Sequence, residues 1–301
     1  MKNQIGKCLL KMLALVLGMV CAQSAPAQTF KRVNVKGGAA LAQVSSGRAS
    51  VWARAGNGNP YILKGKQFVL ANSITLTQIA VGGGNAFQAD AVWGLNSSGG
   101  IYSARKSGTS WIFDQMPGVL DFIAVGPGYK DKCHPYEVWG LSSTLIYRYN
   151  FCIQNWDNVP GSLATLAVGS NGRVWGINGN GALFEFIFET LRFSQPPGLG
   201  GLVATQVAVG TNGVWVLDDQ SSLYMFVDGF GLKLAIGGSI AQVQVGGNGV
   251  WEINPSGAVI RYENLQYFDV IPGTLASISV GSGAGVWGLD SSGKAYAFST
   301  P

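Results

Sequence analysis

The chain holds a single histidine, His134, and charged residues fill only 12% of its 301 positions. One histidine leaves little for Ser–His–Asp chemistry, and no Gly-x-Ser-x-Gly elbow is present to carry a nucleophile. Asp218 and Asp219 are neighbours in one turn, point differently and do not make an acid/base pair. The reading is therefore of a protein that is not an enzyme and needs no cofactor. Beyond the amino-terminal segment, no stretch reaches the ~18 apolar residues of a spanning helix. Charge is scarce, but 44 glycines and 47% apolar residues are present, which excludes disorder and suits short strands joined by tight turns.

Residues 1–27 read as a secretory signal. Lys2, Lys7 and Lys11 make a basic start, Leu13 to Cys21 an apolar run, and Ala25-Pro26-Ala27 a small-residue cleavage site. Val20 ahead of Cys21 does not fit a lipoprotein signal. The leader takes three of the 20 basic residues and none of the 15 acidic ones, leaving 17 against 15, a net of +2. That balance does not call for nucleic acid as a partner. Cys8 and Cys21 leave with the signal, so Cys133 and Cys152 remain in a chain bound for an oxidising compartment, secreted or periplasmic. A disulfide between them is expected, the other reading being two buried thiols. Two cysteines and His134 do not make a four-ligand metal set.

Seven Val-Trp pairs punctuate the chain, at Trp52, Trp93, Trp139, Trp175, Trp215, Trp251 and Trp287, spaced 36 to 46 residues apart. Such a period is the mark of a repeat architecture. Leu166-Ala167-Val168-Gly169 reads as a short strand, and Ser170-Asn171-Gly172 as a hairpin turn. Val174 to Ile177, Leu183 to Phe186 and Leu191 to Phe193 read as three more strands, with a break at Pro197-Gly198. The pattern recurs from Ile79, Ile123, Val207, Val243 and Ile278, and more weakly over Ala42–Phe68. Four short antiparallel strands per ~40 residues describe a propeller blade. The fold class is all-β: a seven-bladed β-propeller over 28–301, or six-bladed if Ala42–Phe68 is a cap. The last unit stops after its third strand at Phe298, and Phe30 to Val35 resembles the fourth-strand stretch Tyr267 to Ile271. The first strand can therefore close the last blade, which removes an open seam.

These units resemble the tectonin family, whose repeats read close to V-G-x-x-G-x-V-W-G-x-N-x-x-G-x-I-Y, then a tryptophan, then P-G. The resemblance implies a propeller lectin, with lipopolysaccharide or N-acetylated or O-methylated glycans as ligands. Family members are typically six-bladed, and the seventh unit is a departure. A polar residue follows each second strand: Asn96, Ser142, Asn178, Asp218, Asn254 and Asp290. Such groups pair with sugar hydroxyls, although they also close turns on their own backbone. A glycan wedged between blades on this rim is the expected site. The second-strand tryptophans read as core, whereas Trp111 and Trp156 on outer strands are candidate ligand platforms. The loops 82–91 and 126–137 exceed the other first turns and are expected on the opposite rim. They offer the alternative function, an envelope scaffold that docks a protein partner.

Overall fold

The computed structural model describes residues 28–83, 89–199, 201–236, 239–264 and 267–299. The expected signal 1–27 lies outside the described residues, as does the 84–88 part of the first long loop. Strand β1 spans Thr29–Val35. Strands β2–β5 are Leu41–Ser46, Val51–Ala55, Pro60–Lys64 and Gln67–Leu70. Strands β6–β9 are Gln78–Gly82, Ala91–Leu95, Gly100–Ser107 and Ser110–Val119. Strands β10–β13 are Phe122–Asp131, His134–Ser142, Leu145–Asn150 and Asn155–Val159. Strands β14–β17 are Thr165–Val168, Val174–Ile177, Leu183–Ile187 and Arg192–Ser194. Strands β18–β21 are Ala204–Gly210, Gly213–Asp218, Leu223–Val227 and Gly231–Ile236. Strands β22–β25 are Gln242–Gly246, Gly249–Ile253, Ala258–Asn264 and Tyr267–Thr274. Strands β26–β28 are Ser277–Val280, Val286–Leu289 and Ala295–Ser299.

The groups β6–β9, β10–β13, β14–β17, β18–β21 and β22–β25 are each a four-stranded sheet in chain order. Strand β1 pairs antiparallel with β28, from Thr29 opposite Ser299 to Val33 opposite Ala295. Its last residues, Asn34 and Val35, run parallel beside Gln67 and Phe68 of β5. One strand thus satisfies two edges and joins β26–β28 to β2–β5 in an eight-stranded sheet. The first strands β2, β6, β10, β14, β18, β22 and β26 lie side by side in that order, and β26 returns to β2. Short antiparallel sheets arranged radially in this way make a β-propeller.

The core is divided into layers, each filled from two neighbouring sheets. Trp139, Leu141 and Ile146 pack with Leu166, Val174 and Phe186. Trp251 and Ile253 pack with Ile278, Val280 and Val286. Trp287 and Leu289 meet Val44, Val51 and Phe68, so the layers close on themselves. Every Val-Trp tryptophan is buried, in agreement with its reading as core. The glycine after the tryptophan has a packing cause. A Cβ on Gly140 would run into the Leu120 side chain, and one on Gly176 into Leu163. Glutamines on the first strands clamp sheet to sheet. The Gln43 amide donates to Ile79 O at 2.8 Å and accepts from Ile79 N at 3.0 Å. Gln78 does the same with Ile123, and Gln206 with Val243, Gln242 with Ile278.

Candidate functional site

One rim carries the turns between second and third strands, where most of the sequence-derived candidates sit. Asn96 Oδ1 accepts from Ser98 N at 3.0 Å and Gly100 N at 2.8 Å. Asn178 Oδ1 accepts from Asn180 N and Ala182 N, and Asp218 Oδ1 from Gln220 N and Ser222 N. Asn254 and Asp290 repeat the geometry with Ser256, Ala258, Ser292 and Lys294. One oxygen of each side chain therefore closes its own turn, as short polar side chains do. The second polar atom differs between sheets. Tyr102 OH accepts from Asn96 Nδ2, and Tyr296 OH donates to Asp290 Oδ2. Tyr224 bonds Asp218 in the same way. In the Asn178 and Asn254 turns the tyrosine position holds Phe184 and Ile260. Neither Nδ2 there has a partner among the described residues. Burial works to raise the Asp290 carboxyl, but the donors from Lys294, Ser292 and Tyr296 outweigh it and hold it at about 2. Ser142 stands apart: its turn is closed by Ser143 N donating to Asp121 Oδ2 at 2.5 Å. Beside Asn254 a groove of about 440 Å³ runs between sheets, with Gln206, Gln242, Pro255 and Leu275 in its walls.

Trp111 and Trp156 are half-buried and face the preceding sheet. The Trp111 ring meets Trp52 edge-on at 4.7 Å, and Trp156 meets Tyr149 at 5.1 Å and Trp93 at 6.0 Å. Trp156 Nε1 also donates to Pro117 O at 2.8 Å.

The 126–137 stretch is a ribbon more than a loop. Strands β10 and β11 continue through it, with Pro127 opposite Tyr136 and Asp131 opposite His134. Backbone pairing extends past the Gly126–Glu137 pair, with an irregularity between Pro127 and Asp131. Cys133 and Cys152 form the disulfide, with Cα atoms 5.0 Å apart, and fasten the ribbon tip to the β12–β13 turn. The two long insertions touch, since Tyr136 OH donates to Ala89 O at 2.7 Å. Asp90, in the first insertion, turns back on the β2–β3 turn. Its carboxylate accepts from the N–H groups of Arg48, Ala49 and Ser50 and from the Ser50 hydroxyl.

Sequence reasoning missed a set of charges beside the core tryptophans. The third-strand residue opposite the tryptophan is Arg148, Glu185 or Arg261 in three sheets. The residue just before the second-strand valine is Glu137, Arg173 or Gly249 in those same sheets. Arg148 grips Glu137 through two bonds of 2.8 and 2.6 Å, and Trp139 Nε1 donates to the same carboxylate at 2.8 Å. Both charges are buried, with the Trp139 and Phe188 rings around the guanidinium. The β14–β17 sheet reverses the signs: Arg173 Nε donates to Glu185 at 2.7 Å. Aligning the repeats on their valines would have exposed this exchange. Glu252, where Gly94, Gly140, Gly176 and Gly288 stand in four other repeats, is buried and accepts from Tyr262 OH. Burial pushes its carboxyl upward, and the Tyr262 bond only partly opposes that.

The central channel, about 360 Å³, is walled by first-strand residues such as Ser46, Val81, Val125, Val209 and Val280. Among the described residues no cluster of His, Cys, Asp or Glu could hold a metal ion, and no helix is long and apolar enough to cross a membrane.

A family model described as the Tectonin domain matches residues 20–200 and 203–301. Tectonin-1 of Physarum polycephalum is 30% identical over 73 residues, 24% of this chain and 30% of that protein. The chain thus matches less than a third of that relative's length. Among solved structures, YCF48 bound to D1 peptide is similar at TM-score 0.66 and 13% identity, over 93% of this chain and 99% of that one. A streptogramin B lyase structure is similar at TM-score 0.63 and 11% identity, over 91% and 98%. At these identities the structural likeness speaks for the fold alone.

Proposed function

The chain belongs to the tectonin family, and from that membership we propose that it is a secreted, non-catalytic carbohydrate-binding protein with a propeller of seven blades. The closed succession of β2, β6, β10, β14, β18, β22 and β26 supports that count, β1 completing the last blade. The disulfide supports an oxidising compartment, outside the cytoplasm or in a periplasm. The ligands are glycans, of lipopolysaccharide, N-acetylated or O-methylated type. The observation that carries the reading is the repeated rim turn with an unclaimed amide at Asn178 and Asn254, the latter beside an inter-sheet groove. A carboxamide donor fixed by its own turn is already oriented for a sugar hydroxyl. Several weak sites on one rigid ring hold a dense glycan surface by avidity.

The test is retention of the purified protein on immobilised lipopolysaccharide, chitin-type and methylated-sugar surfaces. Asn178→Ala with Asn254→Ala should reduce retention at least tenfold without loss of folding. Undiminished retention would remove these turns from the site. A second reading is favoured by the contact between the two long insertions through Tyr136 and Ala89. It is a protein-docking face on the opposite rim. Capture of a peptide or protein through Tyr136, with indifference to every glycan, would favour it.

A further inference from the structure

Arg261 occupies the place that Arg148 holds in its own sheet, opposite the core tryptophan. Arg148 has a carboxylate partner because the residue before the valine is Glu137. In the β22–β25 sheet that residue is Gly249, with φ of +104°, so no carboxylate stands at the position of Glu137. Space is available there, since a Cβ on Gly249 would come no nearer than 3.8 Å to any neighbour. The guanidinium lies 5.8 Å from the Trp251 ring and 6.0 Å from Phe298. Its Nη1 donates to Gln28 Oε1 at 3.3 Å, while Nε is buried without a hydrogen-bond partner among the described residues. A cleft of about 800 Å³ opens beside it, walled by Asn212, Asn248, Gly249, Trp251, Arg261 and Phe298. Asn212 and Asn248 spend their Nδ2 groups on Gly246 O and Gly281 O. Their amide oxygens accept no bond among the described residues.

We infer that this cleft binds a carboxylate-bearing sugar, whose acid group takes the place that Glu137 fills beside Arg148. A planar guanidinium with an unused donor matches a carboxylate, and the flanking aromatic and amide groups match a pyranose ring. The volume suits one or two sugar rings. The sugar half of the inference rests on the glycan reading above, whereas the carboxylate half rests on Arg261 alone. The site lies on the rim of the β22–β23 turn, at the opposite end of β23 from Asn254.

Sodium glucuronate, glucose, glucuronamide and acetate are titrated into the purified protein, with the Trp251 indole resonance as readout. Glucuronate should bind at least tenfold more tightly than glucose or glucuronamide, and more tightly than acetate. Arg261→Met, the residue type at Met225 in the β18–β21 sheet, should remove that preference and leave the fold intact. Comparison of glucuronate with glucuronamide needs no variant and decides the matter should that protein misfold. Equal binding of glucuronate and glucuronamide, or glucuronate binding undiminished in a folded Arg261→Met protein, would overturn the inference. Acetate binding as tight as glucuronate would overturn its sugar half. Glucuronate binding that survives Asn178→Ala with Asn254→Ala, when neutral glycans are lost, supports a separate site.

Discussion

Arg148 and Arg261 sit at the same place in their sheets and meet different fates. Arg148 is caged by Glu137, by aromatic rings and by a disulfide-fastened ribbon. Arg261 looks into an open cleft from beside a glycine. The tryptophan scaffold is common to both, so one residue before the valine decides the outcome. A carboxylate there turns the arginine into a clasp between strands two and three, and a glycine leaves it beside an open cleft. Repetition holds the ring together, and departures from repetition set what each sheet presents beside its tryptophan.

The largest way to break the comparison is to remove each arginine in turn. Arg148→Met strands a fully buried Glu137 and should cost about 3–5 kcal/mol in urea unfolding. Arg261→Met should cost nothing or stabilise, since it removes a half-buried cation that bonds no carboxylate among the described residues. Similar losses from the two would refute the distinction. Next comes the fastening of the ribbon. Cys133→Ser with Cys152→Ser opens a closed loop of 19 residues' separation and should cost about 3 kcal/mol. An unchanged midpoint would mean that the β10–β11 pairing alone holds the ribbon.

A smaller effect concerns the acid that the open sheet does contain. The folded-state carboxyl of Glu252 is raised, so its contribution favours folding below its unfolded value near 4.5 and is lost as pH rises through the folded value. Glu252→Gln should therefore add about 1 kcal/mol of stability at pH 7–8 and little at pH 4, read from melting curves at both. A gain independent of pH would point to packing instead. The smallest effect separates turns with and without tyrosine. Asn96→Ala loses a tyrosine bond as well as two turn bonds, and should destabilise by a few tenths of a kcal/mol more than Asn178→Ala.

Much of this was legible in the residues because it is local and repeated. Asn-Gly turns, Val-Trp pairs and Pro-Gly breaks fall within a few positions of one another, and they repeat. The closing of the last sheet by the first strand was legible for the same reason, since that strand reads like a fourth strand. What escaped was the chemistry between units. Asp90 caps a turn 40 residues earlier, and no single repeat contains both halves of that contact. Glutamines 43, 78, 206 and 242 stand at one repeat position, yet their role lies in the next sheet's backbone. The Asn and Asp turn residues were visible, but which of them keep an unclaimed atom depends on whether a tyrosine lies opposite. The 126–137 stretch carries turn-forming Gly126, Pro127 and Gly128, which masked its continuation as paired strands.

The most direct test is a crystal structure of the protein with the glycan that its surfaces retain best. A sugar ring bonded to Asn178 or Asn254 at the turn rim, on a closed wheel whose first strand lies beside Ser299, is the predicted result. A sugar bound only elsewhere, or no glycan retained at all, would contradict it.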